Sequence, residues 1–204
     1  SLINGVCSLF KMNIQYMDLS CGRGGDVDRY VNPSNKIKFI FGLDVEDVNE
    51  ACRRYFYKQS SNKAVFIKYD TSKNIKSIEQ EDVDSHSRVM INILYGAQKP
   101  SGSEYKTIAK EYQKLAKNKF QVVSSQFTLH YYLKDENTFS RFITNVEENI
   151  DKGGYFIATF YNGNKLFDLL KDKEGIEYIN KTGDKVYEIK KKYDNDDFDY
   201  HSED

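Results

Sequence analysis

The chain offers little to a metal, a membrane or an oxidising compartment. Cys7, Cys21 and Cys52 are an odd number without a CxxC pair, so they read as free thiols in a reducing setting. His86, His130 and His201 follow no metal-ligand spacing, and no metal is expected. No apolar run approaches the length of a membrane span, and no signal-peptide pattern is visible, so an intracellular protein is expected. Thirty Lys+Arg against 31 Asp+Glu leave a net charge of −1. No global basic field attracts nucleic acid, and any such contact is expected to be local. The sequence opens on Ser1 rather than Met, which suggests a fragment of a longer protein.

What is present is aromatic. Sixteen Tyr and 13 Phe can build a core and leave rings for stacking on flat ligands. The 204 residues suit one domain, expected over 1–204. Strand and helix patterns alternate. Ile14–Leu19, Ile37–Asp44, Ala64–Asp70, Phe120–Phe127 and Tyr155–Tyr161 read as strands, the last entered through a Lys152-Gly153-Gly154 turn. A helix is expected to open near Asp26. Others are expected over Glu46–Lys58, Glu81–Tyr95, Glu104–Asn118 and Glu136–Ile150, with one more starting at Leu166–Leu170. A Gly/Pro/Ser break interrupts Gly96–Ser103. Gly175–Lys191 reads as a hairpin around Thr182-Gly183-Asp184, and the acidic end as solvated loop. Alternation of this kind implies a mostly parallel sheet with helices on both faces, and ligands bind at the strands' carboxyl ends. Ser20–Asp26, Asp44, Asp70 and Ser124–Tyr132 all fall there.

The loop "SCGRGGD" at Ser20–Asp26 holds Gly22, Gly24 and Gly25, where a ligand can approach the backbone closely. A dinucleotide fingerprint would need glycine at position 27, which is Val27, and no Gly-Lys-Ser/Thr follows for a nucleotide phosphate loop. Asp44, 18 residues beyond Asp26, is placed to accept hydrogen bonds from a ribose diol. Asp70 lies one strand further, where an adenine amino group could reach it. The three features in order suit S-adenosylmethionine, which has no pyrophosphate to cradle. Singly, each has a plainer reading: a tight turn, or a helix N-cap. Cys21, without a His or Asn partner nearby in sequence, reads as a small packed residue.

After the fourth strand an amine-methylating nucleic-acid enzyme would carry Asp/Asn-Pro-Pro-Tyr, and a cytosine C5 enzyme Pro-Cys. This chain has neither; "NPSN" at Asn32–Asn35 lies before the second strand and is discarded. It has Gln126, Phe127, His130, Tyr131 and Tyr132, rings and hydrogen-bonding tips that suit a stacked base. Singly, each ring is better read as core, and His130 as a satisfied histidine; the block after this particular strand is not.

Together, "MDLSCGRGGD", "GLDVE", "KYDTSKNI", "SSQFTLHYY" and "GGYFIATFYNGNKLFDLL" resemble the mRNA cap (guanine-N7) methyltransferases, most closely those of large DNA viruses. The likeness runs from about Tyr16 to Leu170. It implies a Rossmann-like class I S-adenosylmethionine-dependent methyltransferase fold. The implied reaction moves a methyl group from S-adenosylmethionine to N7 of the cap guanine, in line, without general base or metal. By position, Ser20, Gly22, Asp44, Asp70, Gln126 and Tyr131 are implied at the cofactor, and Arg23, Arg29, Arg54, His130 and Tyr131 at the capped end. The family also uses a lysine just before the stretch matching Ser1-Leu2-Ile3, and an acid and an aromatic beyond the stretch ending at Asp204. The implied partners are the capped 5′ end of mRNA and other capping domains, triphosphatase and guanylyltransferase, in the same polypeptide. The implied location is host cytoplasm or virion. A small-molecule methyltransferase and a catalytically silent methyltransferase-like subunit are the rival readings.

Overall fold

A computed structural model describes residues 1–78, 81–97 and 102–192. The acidic end and His201 lie outside the described residues, as does part of the Gly96–Ser103 break. The chain divides into two compact units, Ser1–Thr159 and Phe160–Asp204.

The first unit is built on five strands: β1 (Ile14–Asp18), β2 (Ile37–Asp44), β3 (Lys63–Lys68), β4 (Phe120–Gln126) and β5 (Ile150–Thr159). Their order is β3-β2-β1-β4-β5 and every pairing is parallel. The order reverses between β1 and β4, so the switch point at which such sheets bind ligands lies between their carboxyl ends. Seven helices accompany the sheet: α1 (Leu2–Cys7), α2 (Val27–Tyr30), α3 (Asn49–Tyr57), α4 (Ser85–Tyr95), α5 (Ser103–Tyr112), α6 (Leu129–Tyr132) and α7 (Glu136–Asn149).

Strand side chains alternate between two apolar clusters. Met17, Phe39, Phe41 and Val123 join Ile91, Leu94 and Phe142 on one face. Tyr16, Ile40, Val122 and Ile157 join Ile3, Val6 and Val27 on the other. Both faces are covered, which is why these strands read as nearly continuous apolar runs.

Several boundaries differ from expectation; the helix expected over Glu104–Asn118, for one, ends at Tyr112, and Lys114 at φ +67 separates it from a short 3-10 turn over Leu115–Lys117. The helix expected from Glu46 starts at Asn49, because Asp44 Oδ1 takes the Glu46 N–H (2.9 Å) and Asp47 Oδ1 the Asn49 N–H (2.7 Å), holding the entry as turns. The helix expected from Glu81 starts at Ser85, where Asp84 caps it through the Ser87 N–H at 2.9 Å. Lys152-Gly153-Gly154 does not turn the chain into β5 but lies inside it. The register shifts opposite Phe120–Val122 and Gly153 takes φ +80, so the extra length is absorbed as a bulge.

The second unit holds α8 (Gly163–Leu170) and the hairpin β6 (Gly175–Ile179) and β7 (Lys185–Lys190), antiparallel as expected. Tyr178 and Tyr187 stack across it at 5.6 Å, and Asn180 Oδ1 accepts the Thr182 and Asp184 N–H groups in the turn.

The glycine loop packs onto α3. Gly24 has φ +75, and a Cβ there would lie 2.8 Å from Ala51 Cα. Around Gly25 nothing stands within 4 Å of such an atom. Gly24→Ala is expected to lower unfolding stability by about 2–4 kcal/mol, from left-handed strain plus overpacking, whereas Gly25→Ala should stay within about 1 kcal/mol. Urea unfolding of both variants checks the contrast.

Candidate functional site

Asp18 closes β1 and is only 1% exposed. Its Oδ1 accepts the Ser20 N–H at 3.0 Å and its Oδ2 the Tyr30 hydroxyl. Burial pushes its pKa up to about 6 against these bonds, which act in the opposite direction. The chain then turns through the glycine loop. Gly22, at φ +49, donates its N–H to Asp44 Oδ2 at 2.7 Å. Since Glu46 takes the other oxygen, Asp44 is held by one backbone donor on each oxygen. Each oxygen keeps a further lone-pair site for a ligand hydroxyl.

At the end of β3, Asp70 Oδ1 accepts both the N–H (2.9 Å) and the hydroxyl (2.6 Å) of Ser72. Thr71 is buried, and its hydroxyl donates to the Leu19 carbonyl at 3.0 Å. The Tyr132 hydroxyl lies 2.6 Å from Thr71 Oγ1 and 3.4 Å from the same Leu19 carbonyl. One hydroxyl pair therefore ties together the segments after β1, β3 and β4. The Tyr132 ring stacks on Phe142 at 4.0 Å, and burial raises its phenol pKa to about 12, so it remains a donor.

After β4 the backbone is strained. Phe127 has φ +59, uncommon for a bulky residue. Its N–H is held by the Thr159 carbonyl (2.8 Å) and hydroxyl (2.9 Å), and its ring is 60% exposed. Ser125 and Thr128 hydroxyls meet at 2.7 Å, starting α6 beside the loop.

These segments enclose a cleft of about 500 Å³, within the usual range for small-molecule sites. Ser20, Asp44, Asp70 and Tyr131, four of the six residues implied at the cofactor, line it. Gly22 stands behind Asp44. Gln126 is off the wall, its Oε1 taking the Thr159 hydroxyl at 3.1 Å. The expected cap-binding set is spread more widely. Arg23 is exposed on the loop, Arg29 pairs with Asp26 (2.6 Å) and Arg54 with Glu50 (3.0 Å); none of the three lines the cleft. His130 lies against the Tyr131 ring at 4.2 Å, and burial draws its pKa below the ordinary value, which favours the neutral ring. Among the described residues no group of three or more His, Cys, Asp or Glu is placed to hold a metal ion.

Sequence reasoning missed Asp18 and Thr71. An acid inside an apolar strand, and a hydroxyl directly after a strand-end acid, were the available signals.

The family model for the mRNA (guanine-N(7))-methyltransferase domain matches residues 2–202, nearly the whole chain and both units. The chain belongs to the mRNA (guanine-N(7))-methyltransferase family. Among curated relatives, a protein named "Probable mRNA-capping enzyme" from Acanthamoeba polyphaga mimivirus is 27% identical over 185 residues, covering 89% of this chain and 15% of that protein. The mRNA cap guanine-N(7) methyltransferase of Debaryomyces hansenii is 26% identical, covering 85% of this chain and 32% of its own length. That of Arabidopsis thaliana, numbered 1, is 25% identical, covering 85% and 39%. The chain thus spans between about a seventh and two fifths of these relatives. The parallel sheet with its covered faces is the Rossmann-like methyltransferase fold of the family.

Two outcomes follow. A carboxyl whose folded pKa is raised gives stability that is full below its unfolded pKa and is lost as pH rises through the folded one. With Asp18 moved from 3.8 to about 6, the ligand-free protein should lose about 3 kcal/mol between pH ~4 and ~7 from this group, and Asp18→Asn should flatten that part of the profile. Urea midpoints across the range decide it; an unchanged slope in the variant assigns the effect elsewhere. Thr71→Val, which keeps shape and loses the hydroxyl, should cost about 1–3 kcal/mol, with Thr71→Ser closer to the parent. A double-mutant cycle with Tyr132→Phe should show coupling of at least about 0.5 kcal/mol, and strict additivity would mean the two hydroxyls act separately.

Proposed function

We propose that this chain transfers a methyl group from S-adenosylmethionine to N7 of the guanine that caps mRNA. The observation that carries the reading is the meeting of Ser20, Asp44, Asp70 and Tyr131 on one cleft, in a chain that the family model matches from residue 2 to residue 202. We read the chain as one methyltransferase domain on the same ground.

The residues fit the cofactor. Asp44 has a lone-pair site left on each oxygen for the ribose hydroxyls, Asp70 stands at the adenine end, and Ser20 and Gly22 follow the loop at the methionine end. Tyr131 closes the cleft toward the acceptor. Bound S-adenosylmethionine supplies an electrophilic methyl on a sulfonium. Guanine N7 carries an exposed lone pair and no proton, so its attack requires no general base. Positive charge passes from sulfur to base, and no oxyanion develops. The work left to the chain is alignment and exclusion of water, and orientation of this kind lowers a barrier by up to roughly 7–11 kcal/mol. Phe127 presents an exposed ring from a strained turn, and His130 and Tyr131 follow in α6 as a tilted pair with planes at 42°; these are the rings on which a base would stack. Arg23, Arg29 and Arg54 lie on the glycine-loop side, where cap phosphates would meet cations.

Other capping activities in the same polypeptide are proposed from the mimivirus relative, of which this chain covers 15%. A viral, intracellular setting belongs to the same proposal. No helix among the described residues is long and apolar enough to cross a membrane.

The deciding assay is methyl transfer to capped against uncapped RNA. Capped RNA alone should accept the methyl. Transfer to small amines or hydroxyls with capped RNA ignored would favour a small-molecule enzyme, and cofactor binding absent altogether would favour a silent subunit. In single-turnover reactions at saturating RNA and cofactor, the rate should show no limb of unit slope between pH ~6 and ~8.5. A rate falling tenfold per pH unit on acidification, persisting in His130→Asn, would mean a general base and an acceptor other than N7.

A further inference from the structure

A second cleft opens at the other end of the sheet, at the strands' amino edge. It is about 780 Å³ in volume, and its walls include Asn32, Lys36, Lys38, Lys58, Asn62 and Lys63. The methyl-transfer reading leaves it unused. One side of α3 leads toward it from the glycine loop. Ala51 packs under Gly24 of the glycine loop. Arg54 and Lys58 follow at i+3 and i+7, on the same side of the helix and about 6 Å apart along its axis. Lys58 pairs with Asp28 of α2, which fixes the seam between the two helices. The row therefore runs from the loop bearing Arg23, past Arg54, to Lys58 and into the lysine cleft.

Aromatic rings flank its end. Phe56 and Tyr57 are 77% and 70% exposed, with ring centroids 6.1 Å apart. They border a shallow groove with Phe66 and Arg53. Other rings are exposed too, Phe127, Tyr131, Phe160 and Tyr161 among them, but this pair stands side by side on the helix that also carries Arg53, Arg54 and Lys58.

The geometry points to a track for single-stranded RNA: the strand downstream of the capped guanosine runs along the α2–α3 seam into the lysine cleft and stacks a base on Tyr57. The inference rests on the reading that the chain acts on capped RNA. The chemistry favours RNA over a protein partner. The row carries Arg54, Lys58, Lys36, Lys38 and Lys63 against Asp28 and Glu50, in a chain whose total charge is −1. Lysine is depleted in the cores of protein interfaces, whereas cations tracking a backbone beside aromatic platforms are what sequence-tolerant single-strand binding uses. Local basicity in a neutral chain is also what a ligand bound mainly through its phosphates requires.

The test uses the 204-residue chain and the triple variant Lys38→Ala, Lys58→Ala, Tyr57→Ala, with its fold checked by circular dichroism. Fluorescence anisotropy with an uncapped single strand of about 16 nucleotides is read across a salt series. The variant should bind about tenfold more weakly, and its plot of log affinity against log salt should be shallower by about 1.4, for two lost phosphate contacts. Methyl transfer should fall about tenfold in kcat/KM on a capped strand of that length and stay unchanged on a cap dinucleotide. Unchanged RNA affinity and salt slope, or equal loss on both methyl acceptors, overturns the track and leaves the surface to a protein. A parent chain that methylates neither acceptor overturns the proposed function instead; the anisotropy arm needs no methyl transfer and still decides the track.

Discussion

The N–H of Gly22, held 2.7 Å from the Asp44 carboxylate, joins the ends of two neighbouring strands into one rim. For that bond to form, the loop after β1 must fold back toward β2 within a few residues. Two conditions allow it. Gly22 and Gly24 take positive φ, and Gly24 lies so close to Ala51 that no side chain fits between. The loop thereby rests on α3, and α3 in turn sets where Arg54 and Lys58 stand. A looser loop would separate Asp44 from Ser20, and would lift the cations off the seam. The cofactor cleft and the proposed RNA track thus share one structural origin.

The other half of the rim is joined by hydroxyls rather than by glycine. Thr71 reaches the Leu19 carbonyl and meets the Tyr132 hydroxyl. Asn145 of α7, fully buried, holds the same segment from below: its amide donates to the Thr71 and Lys73 carbonyls at 2.8 and 2.7 Å, and its oxygen accepts the Ile75 N–H at 2.9 Å. Every polar atom of that side chain has work in fixing the β3 loop. Buried amides with such full satisfaction rigidify what surrounds them. Asp70 is consequently carried on a braced segment, although among the described residues its carboxylate bonds only to Ser72.

The sheet was legible because both faces are covered, so its central strands are dense apolar runs, β1 and β2 closing on Asp18 and Asp44. β2 ran over Ile37–Asp44 as read. Helix starts were less legible, since Asp44, Asp47 and Asp84 each bond backbone N–H groups locally and hold back the first turn. Gly153-Gly154 looked like a turn because a bulge demands the same residues as a turn. In the site, strand-end acids were visible by position alone. Asp18 was not, because an acid in an apolar strand gives no sign of which hydroxyl will meet it, and Tyr30 lies twelve residues away. Thr71 and Tyr132 are 61 residues apart, and their pairing exists only once β3 and β4 flank the β1–β2 pair. Gln126 was placed by resemblance, while in the structure its oxygen is engaged by Thr159.

The proposed reaction needs no general base, yet the cleft keeps its acids, and each is held differently. Asp44 has a backbone N–H on each oxygen, and Asp70 has Oδ1 held by the N–H and hydroxyl of Ser72. Asp18 is different: it is buried behind the loop, reached by Ser20 and Tyr30, and it costs about 3 kcal/mol of stability once ionised, from its displaced pKa. A fold needing only a filled strand would hold Asn or Leu there. An ionised carboxylate beneath the methionine end of the cleft has a use if the ligand is a cation, because a positive partner offsets the burial cost and draws the pKa back down. In the proposed reaction the ligand carries both an ammonium and a sulfonium. Under that proposal the charge that destabilises the empty loop favours the loaded one, and Asp18, although buried and off the cleft wall, exchanges stability for binding.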